Sequence, residues 1–204
     1  MKSILFLAQK GGSGKTTLAV HIAVAAGEDG EQVALVDTDP QGSAWAWERV
    51  RESEQPPVAQ ATPAQLNQVK EAALTDNISV LIIDSAPHST PAATATVSSA
   101  DFVLIPCRPT AFDLAAISAS ANIVKAAGTR AAFVLNACPA RAPEIDEAKA
   151  TLAEYGLTVA PVTVGDRRAF SRAIATGRAV TEFEARGKAA EEIRALWQWV
   201  KGEL

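Results

Sequence analysis

Nine residues near the start of the chain, Gln9-Lys10-Gly11-Gly12-Ser13-Gly14-Lys15-Thr16-Thr17, leave few folds open. They follow an apolar run, Ile4-Leu5-Phe6-Leu7-Ala8, and precede a helix-like pattern from Leu18 to Ala26, so the order is strand, glycine loop, helix. That is the setting of a phosphate-binding loop. Glycines let the backbone curl until several N–H groups point inward, and the helix N-terminus adds its positive dipole end at the same place. Gly11 to Thr17 would form the cradle, Lys15 would neutralise the outer phosphates, and the Thr16 hydroxyl would ligate Mg²⁺. The common G-x-x-x-x-G-K-[ST] loop wants glycine at position 9, where this chain has Gln9 followed by a second lysine, Lys10. Two lysines around three glycines are more charge than one triphosphate needs from one chain.

Downstream, the runs Val33-Ala34-Leu35-Val36, Ile78 to Ile83, Phe102-Val103-Leu104-Ile105 and Ala131-Ala132-Phe133-Val134-Leu135 are apolar throughout instead of alternating. Such runs suit strands covered on both faces, and a parallel sheet with helices on both sides follows. Thr62-Pro63 opens a helix to about Thr75, Pro143 opens one ending near Gly156, and Gly187 precedes a last one reaching Leu204. The Gln55-Pro56-Pro57 segment reads as a turn inside the domain. A length of 204 residues with 48% hydrophobic content fits one α/β domain over residues 1–204. Cys107 and Cys138 each follow an apolar run, which argues against a disulfide framework. With no leader-like segment and no apolar stretch of spanning length, a cytoplasmic protein is expected.

Three further stretches end strands and so face the crevice that the loop faces. Asp37-Thr38-Asp39-Pro40 closes the second run; a carboxylate beside a triphosphate is repelled unless Mg²⁺ or water stands between, so one of this pair holds or orients water. Val80-Leu81-Ile82-Ile83-Asp84 has the Walker B form, in which a buried strand fixes the acid for the Mg²⁺ shell. Leu135-Asn136-Ala137 offers an amide of the kind an adenine needs.

Taken together, the loop with its two lysines, the Asp39-Pro40-Gln41-Gly42-Ser43-Ala44-Trp45 stretch, Asp84, and the later Asp166-Arg167-Arg168-Ala169-Phe170 with Gly177 and Glu182 resemble the deviant Walker A ATPases of the ParA/MinD superfamily, specifically the small plasmid-partition type. The likeness covers nearly the whole chain. It implies ATP and Mg²⁺ as ligands, a homodimer closed by ATP in which Lys10 reaches the partner's nucleotide, Asp39 as the residue positioning the attacking water, and Asp37 as support for the metal shell and the loop. It also implies slow hydrolysis stimulated by a ParB-like partner, nonspecific DNA binding on the nucleoid, and segregation of a plasmid or chromosome. Asp84-Ser85-Ala86-Pro87-His88 departs from the family's usual continuation at His88, which reads as a surface-loop residue.

The formal net charge of −4 does not advertise nucleic-acid binding, so any such surface has to be local. Between Gly165 and Lys188 six positive residues face three acids, and Arg167, Arg168 and Arg172 are the expected DNA contacts. Rival readings fit less well. A dinucleotide oxidoreductase lacks its third glycine, since that position is Thr17. An iron-protein-type reductase lacks a cysteine between Asp84 and Cys107. A MinD-like membrane ATPase would need a basic amphipathic C-terminal helix, whereas acids stand beside the apolar positions here, so no stable membrane association is expected. A nonenzymatic ATP switch would have no use for Asp39.

Overall fold

The uninterrupted apolar runs form the inner strands of one parallel sheet. The computed structural model describes residues 1–87, 91–140 and 142–204, the side chains of residues 91–93 excepted; His88 lies outside the described residues. The strands are β1 (Lys2–Phe6), β2 (Val33–Asp37), β3 (Val58–Gln60), β4 (Val80–Asp84), β5 (Phe102–Cys107), β6 (Ala131–Leu135) and β7 (Thr158–Val159). They pair in parallel in the order β3-β2-β4-β1-β5-β6-β7. The helices are α1 (Lys15–Glu28), α2 (Ser43–Glu48), α3 (Leu66–Thr75), α4 (Pro91–Ser99), α5 (Ala111–Ala127), α6 (Glu144–Ala153), α7 (Arg168–Ala175), α8 (Val180–Phe183) and α9 (Lys188–Glu203), with one turn of 3₁₀ helix over Pro63–Gln65.

Successive strand residues point to opposite faces, and each face has its own core. Ile4, Phe6, Ile82, Leu104 and Val134 pack with Leu18 and Ile22 of α1 and with Ile193, Leu196 and Trp197 of α9. Leu5, Leu81, Ile83, Val103, Ile105 and Phe133 pack instead with Leu66 of α3, Val97 of α4, Ile117 and Val124 of α5 and Leu152 of α6. A strand buried on both sides has no solvent face to encode, which is why the runs do not alternate. The edge strands β3 and β7 were not foreshadowed, because at three and two residues they are too short to carry a pattern. Cys107 and Cys138 are free and buried; burial pushes their thiols up to about 12 and about 11, so both stay protonated.

Register brings the chemistry to one level. Phe6, the last residue of β1, pairs with Asp84, and Asp84 pairs in turn with Asp37. The two acids and the start of the glycine loop therefore leave the sheet side by side, at the carboxyl ends of adjacent strands. The Thr38 N–H and hydroxyl both donate to the Asp84 carbonyl, at 2.9 and 2.8 Å, which ties the two exits together.

Candidate functional site

The loop curls because its glycines occupy backbone regions closed to other residues. Gly12 has φ 76° and Gly14 has φ 99°, and Gly14 caps α1. From there the first N–H groups of α1 open toward the crevice with the dipole's positive end. Asn136, at the end of β6, clasps the loop from the side: its Nδ2 donates to the Ser13 carbonyl at 2.8 Å. A Cβ on Gly14 would stand 2.0 Å from that nitrogen, so the amide occupies the space that glycine leaves. One of the two Asn136 Nδ2 hydrogens is thus committed to the loop, and the amide keeps a second N–H and its Oδ1.

Asp84 is fully buried, and its Oδ2 accepts the Thr16 hydroxyl at 2.6 Å. Its Oδ1 has no hydrogen-bond partner among the described residues. Burial, with Asp37 and Asp39 pushing the same way against Thr16 and Lys15, raises this carboxyl to about 7. An orphaned buried carboxylate oxygen beside a hydroxyl fits a hard divalent cation, and Mg²⁺ uses one or two protein oxygens plus substrate phosphates. Among the described residues no cluster of three or more His, Cys, Asp or Glu forms an all-protein metal cage. Lys15 is buried next to these acids; desolvation lowers its ammonium, while Asp84 and Asp39 pull it back up.

Of the two roles expected for Asp37, loop and metal shell, the geometry carries the first. Its Oδ1 accepts the Asp39 N–H at 3.0 Å, and its Oδ2 accepts the N–H groups of Ala44 and Trp45 at 2.9 and 3.1 Å. Asp37 thereby folds the 38–45 turn and fixes where Asp39 sits. Asp39 is half-buried, with Oδ1 accepting the Gln41 N–H at 2.9 Å.

The two loop lysines part company. Lys15 is buried in the cradle, whereas Lys10 turns outward to Asp113 in the first turn of α5, 2.9 Å away, with 41% of its side chain exposed. Asp113 and Thr110 cap α5 reciprocally, the Thr110 hydroxyl donating to the carboxylate and the Asp113 N–H donating to the hydroxyl. Thr110-Ala111-Phe112-Asp113 is a capping pattern readable in the sequence, but nothing local ties it to Lys10.

Beside the loop opens a cavity of about 510 Å³, in the range of small-molecule sites. Gly12, Gly14 and Thr17 form one wall, Asn136 and Ala137 another, and Gly165 to Arg168 with Phe170 a third, with Arg108 at the margin. Ala137 holds φ 51°, a strained conformation for a residue with a Cβ. The three arginines expected to form one DNA patch lie near one another but differ in their partners. Arg167 and Arg168 line this cavity, and Arg167 is paired with Glu192 of α9. Arg167, Arg168 and Arg172 together border a second cleft with Lys188, where Arg172 lies 3.6 Å from Glu184 and over the Phe183 ring. Sequence reasoning missed Asp113 and Glu192.

Comparison with known proteins supplies the context. Residues 4–180 match the model of the CobQ/CobB/MinD/ParA nucleotide-binding domain. The chain is 35% identical over 200 residues to maintenance of carboxysome distribution protein A of Gloeobacter kilaueensis, covering 96% of this chain and 90% of that one. It is 30% identical to the protein of the same name from Halothiobacillus neapolitanus, at 92% and 90% coverage. Among solved structures, apo McdA of Cyanothece superposes with a TM-score of 0.81 at 15% identity over 98% of this chain and 99% of that one, and the MinD of Pyrococcus horikoshii with Mg-ADP with 0.78 at 18% identity over 98% and 95%. With a family match spanning most of its length, the chain belongs to the CobQ/CobB/MinD/ParA nucleotide-binding family, among the ParA/MinD P-loop ATPases.

Proposed function

We propose that this chain is an Mg²⁺-dependent ATPase of the ParA kind that closes into a homodimer on ATP, binds DNA without sequence preference and uses hydrolysis, stimulated by a ParB-like partner, to distribute a plasmid or chromosome. The observation that carries the reading is the divergence of the two loop lysines: Lys15 stays buried with Asp84 and Asp39, while Lys10 stands at the surface outside its own cradle. A lysine placed there serves a second copy better than its own site.

In this account the N–H groups of Gly11 to Thr17 hold the phosphates, and Lys15 neutralises them from within. Thr16 and Asp84 would hold Mg²⁺, which draws charge from the phosphate oxygens when bound. Asp39, set by the Asp37 bonds, orients the water that attacks the terminal phosphorus, giving ADP and phosphate. Asn136 steadies the loop and borders the space for the base. Arg168 and Arg172, joined by Lys188, are the principal DNA contacts, and Arg167, which borders the same cleft but is paired with Glu192, serves the cavity. Light scattering with a nonhydrolysable ATP analogue and Mg²⁺ tests the dimer: wild type doubles in mass and Lys10→Ala stays monomeric while still binding nucleotide. A Lys10→Ala dimer with normal turnover would refute the role in trans. Replacing Arg168 and Arg172 with Ala weakens ATP-dependent DNA binding, and an unchanged salt-dependent affinity would remove that surface from the account.

A membrane-acting alternative of the MinD type loses ground on α9. Its Trp197 and Val200 are buried, and the Trp197 indole donates to Asp29 at 2.9 Å, so its apolar face is docked on the core. Among the described residues no helix is long and apolar enough to cross a membrane. A second reading of the cargo is favoured by the two relatives named for carboxysome distribution: the same engine would position a protein assembly instead of DNA. Stimulation of phosphate release by a DNA-bound partner, or by a cargo-bound partner without DNA specificity, separates the two.

A further inference from the structure

Glu192, in the first turns of α9, reaches across to the turn that walls the cavity beside the glycine loop. Its carboxylate accepts the Gly165 N–H at 3.1 Å and the Arg167 Nε at 3.0 Å, and pairs with the Arg167 Nη2 as well. Three N–H donors on one acid make a rigid, charge-assisted anchor. The guanidinium lies over Gly165, where a Cβ would come within 3.1 Å of its Cζ, Nε and Nη2. The same turn is tied to the strand end that carries Asn136: Gly165 bridges Cys138, and the Asp166 N–H donates to the Cys138 carbonyl at 2.8 Å. Glu192 itself cannot drift, because Ile193, Leu196 and Trp197 of α9 are fully packed in the core.

We infer that Glu192 is a positioning residue for the nucleoside end of the nucleotide: through the Gly165 N–H and the Arg167 guanidinium it sets the cavity wall against which base and ribose rest, without touching the phosphates. This rests on the nucleotide reading above. It gives Arg167 a task other than DNA contact, and it ties the C-terminal helix to occupancy of the site. Without the acid, Arg167 is free to swing into the cavity or to solvent, the Gly165 N–H loses its acceptor, and the wall relaxes. The phosphate cradle, built from residues 11–17 and Asn136, is left standing.

The test compares ATP with inorganic triphosphate, both with Mg²⁺, by calorimetry on the full chain. Glu192→Gln and Arg167→Ala should each weaken ATP by about tenfold while leaving triphosphate within about twofold of wild type. The double variant should lose no more than the larger single loss, because the two residues act through one contact. Gly165→Ala, which crowds the guanidinium without removing a charge, should reproduce the selective loss if Glu192→Gln does not fold. Unchanged ATP affinity in Glu192→Gln, or an equal loss of ATP and triphosphate, overturns the assignment. A wild-type chain that binds neither ligand overturns the nucleotide reading itself.

Discussion

The ammonium of Lys10 and the carboxylate of Asp113 stand 2.9 Å apart, joining the glycine loop to the first turn of α5 within one chain. Burial pushes the Asp113 carboxyl up, but the Thr110 hydroxyl and Lys10 outweigh it and hold the group below the usual carboxylate range. This contact competes with any placement of Lys10 in a second copy. With Lys10 41% exposed, the pair contributes about 0–1 kcal/mol. Asp113→Asn keeps the helix cap and frees the lysine, so the ATP-bound dimer should tighten by up to about fivefold, read by sedimentation across a concentration series. A dimer unchanged or weakened would show that the cis pair does not oppose closure.

Gly14 is the loop residue least able to accept a side chain. Its φ of 99° is strained for any residue with a Cβ, and that atom would stand 2.0 Å from Asn136 Nδ2. Gly14→Ala should cost about 1–3 kcal/mol of stability and abolish nucleotide binding, measured by denaturant melts and ATP titration. Normal ATP affinity would mean that the loop has another way to hold phosphate.

His21 gives stability a pH dependence. The ring is fully buried against Phe170, its Nδ1 accepts the Val180 N–H at 3.2 Å, and burial lowers it to about 3. The folded chain thus keeps the ring neutral while the unfolded chain protonates it below about pH 6.5. The His21 contribution is full above that value and falls as pH drops toward 3, by up to about 1.4 kcal/mol per pH unit, opposed between about pH 7 and 4 by the raised Asp84 carboxyl. His21→Gln should shift the urea-melt stability at pH 5 relative to pH 7 upward compared with wild type, whatever its absolute stability, because the opposing Asp84 carboxyl then acts without it. A variant that retained the wild-type slope would place the titration elsewhere.

Arg51 joins the turn after α2 to the segment leading into α8. It pairs with Glu182 at 2.6 Å, donates to the Gly177 carbonyl at 2.8 Å and stacks over Trp47, with 4% of its side chain exposed. Arg51→Met retains the stem and removes the charge, leaving Glu182 with only the Ala179 N–H and the Gly177 carbonyl without the guanidinium. A loss of about 2–3 kcal/mol in denaturant melts is expected. A loss below 0.5 kcal/mol, the range of ordinary surface changes, would mean that water replaces the guanidinium.

Local pattern made the central strands and the glycine loop legible, because both depend on neighbours in sequence. The runs leading to Asp37, Asp84 and Asn136 form β2, β4 and β6; Asp84 and Asn136 meet the loop, while Asp37 stands beside Asp84 and holds the 38–45 turn. The partners they meet were not legible. Lys10 with Asp113, Asn136 with Ser13 and Arg167 with Glu192 are separated by 103, 123 and 25 residues, and only the fold brings them together. Arg167 shows what charge read along the chain leaves out: it borders the basic cleft, yet it is paired with an acid on α9. Asp37 shows the same limit, since acceptance of three backbone N–H groups has no sequence signal beyond the acid itself.

The reading in trans is tested most directly by mixing two inactive variants. Lys10→Ala keeps its cradle and Asp39 but lends no lysine; Asp39→Ala lends Lys10 but cannot orient water in its own site. If Lys10 acts on the partner's nucleotide, a mixed dimer contains one complete site, and single-turnover phosphate release should reappear on mixing, rising with the fraction of mixed dimers. If the mixture stays as silent as either variant alone while mixed dimers demonstrably form, Lys10 serves its own chain and the shared-site account is wrong.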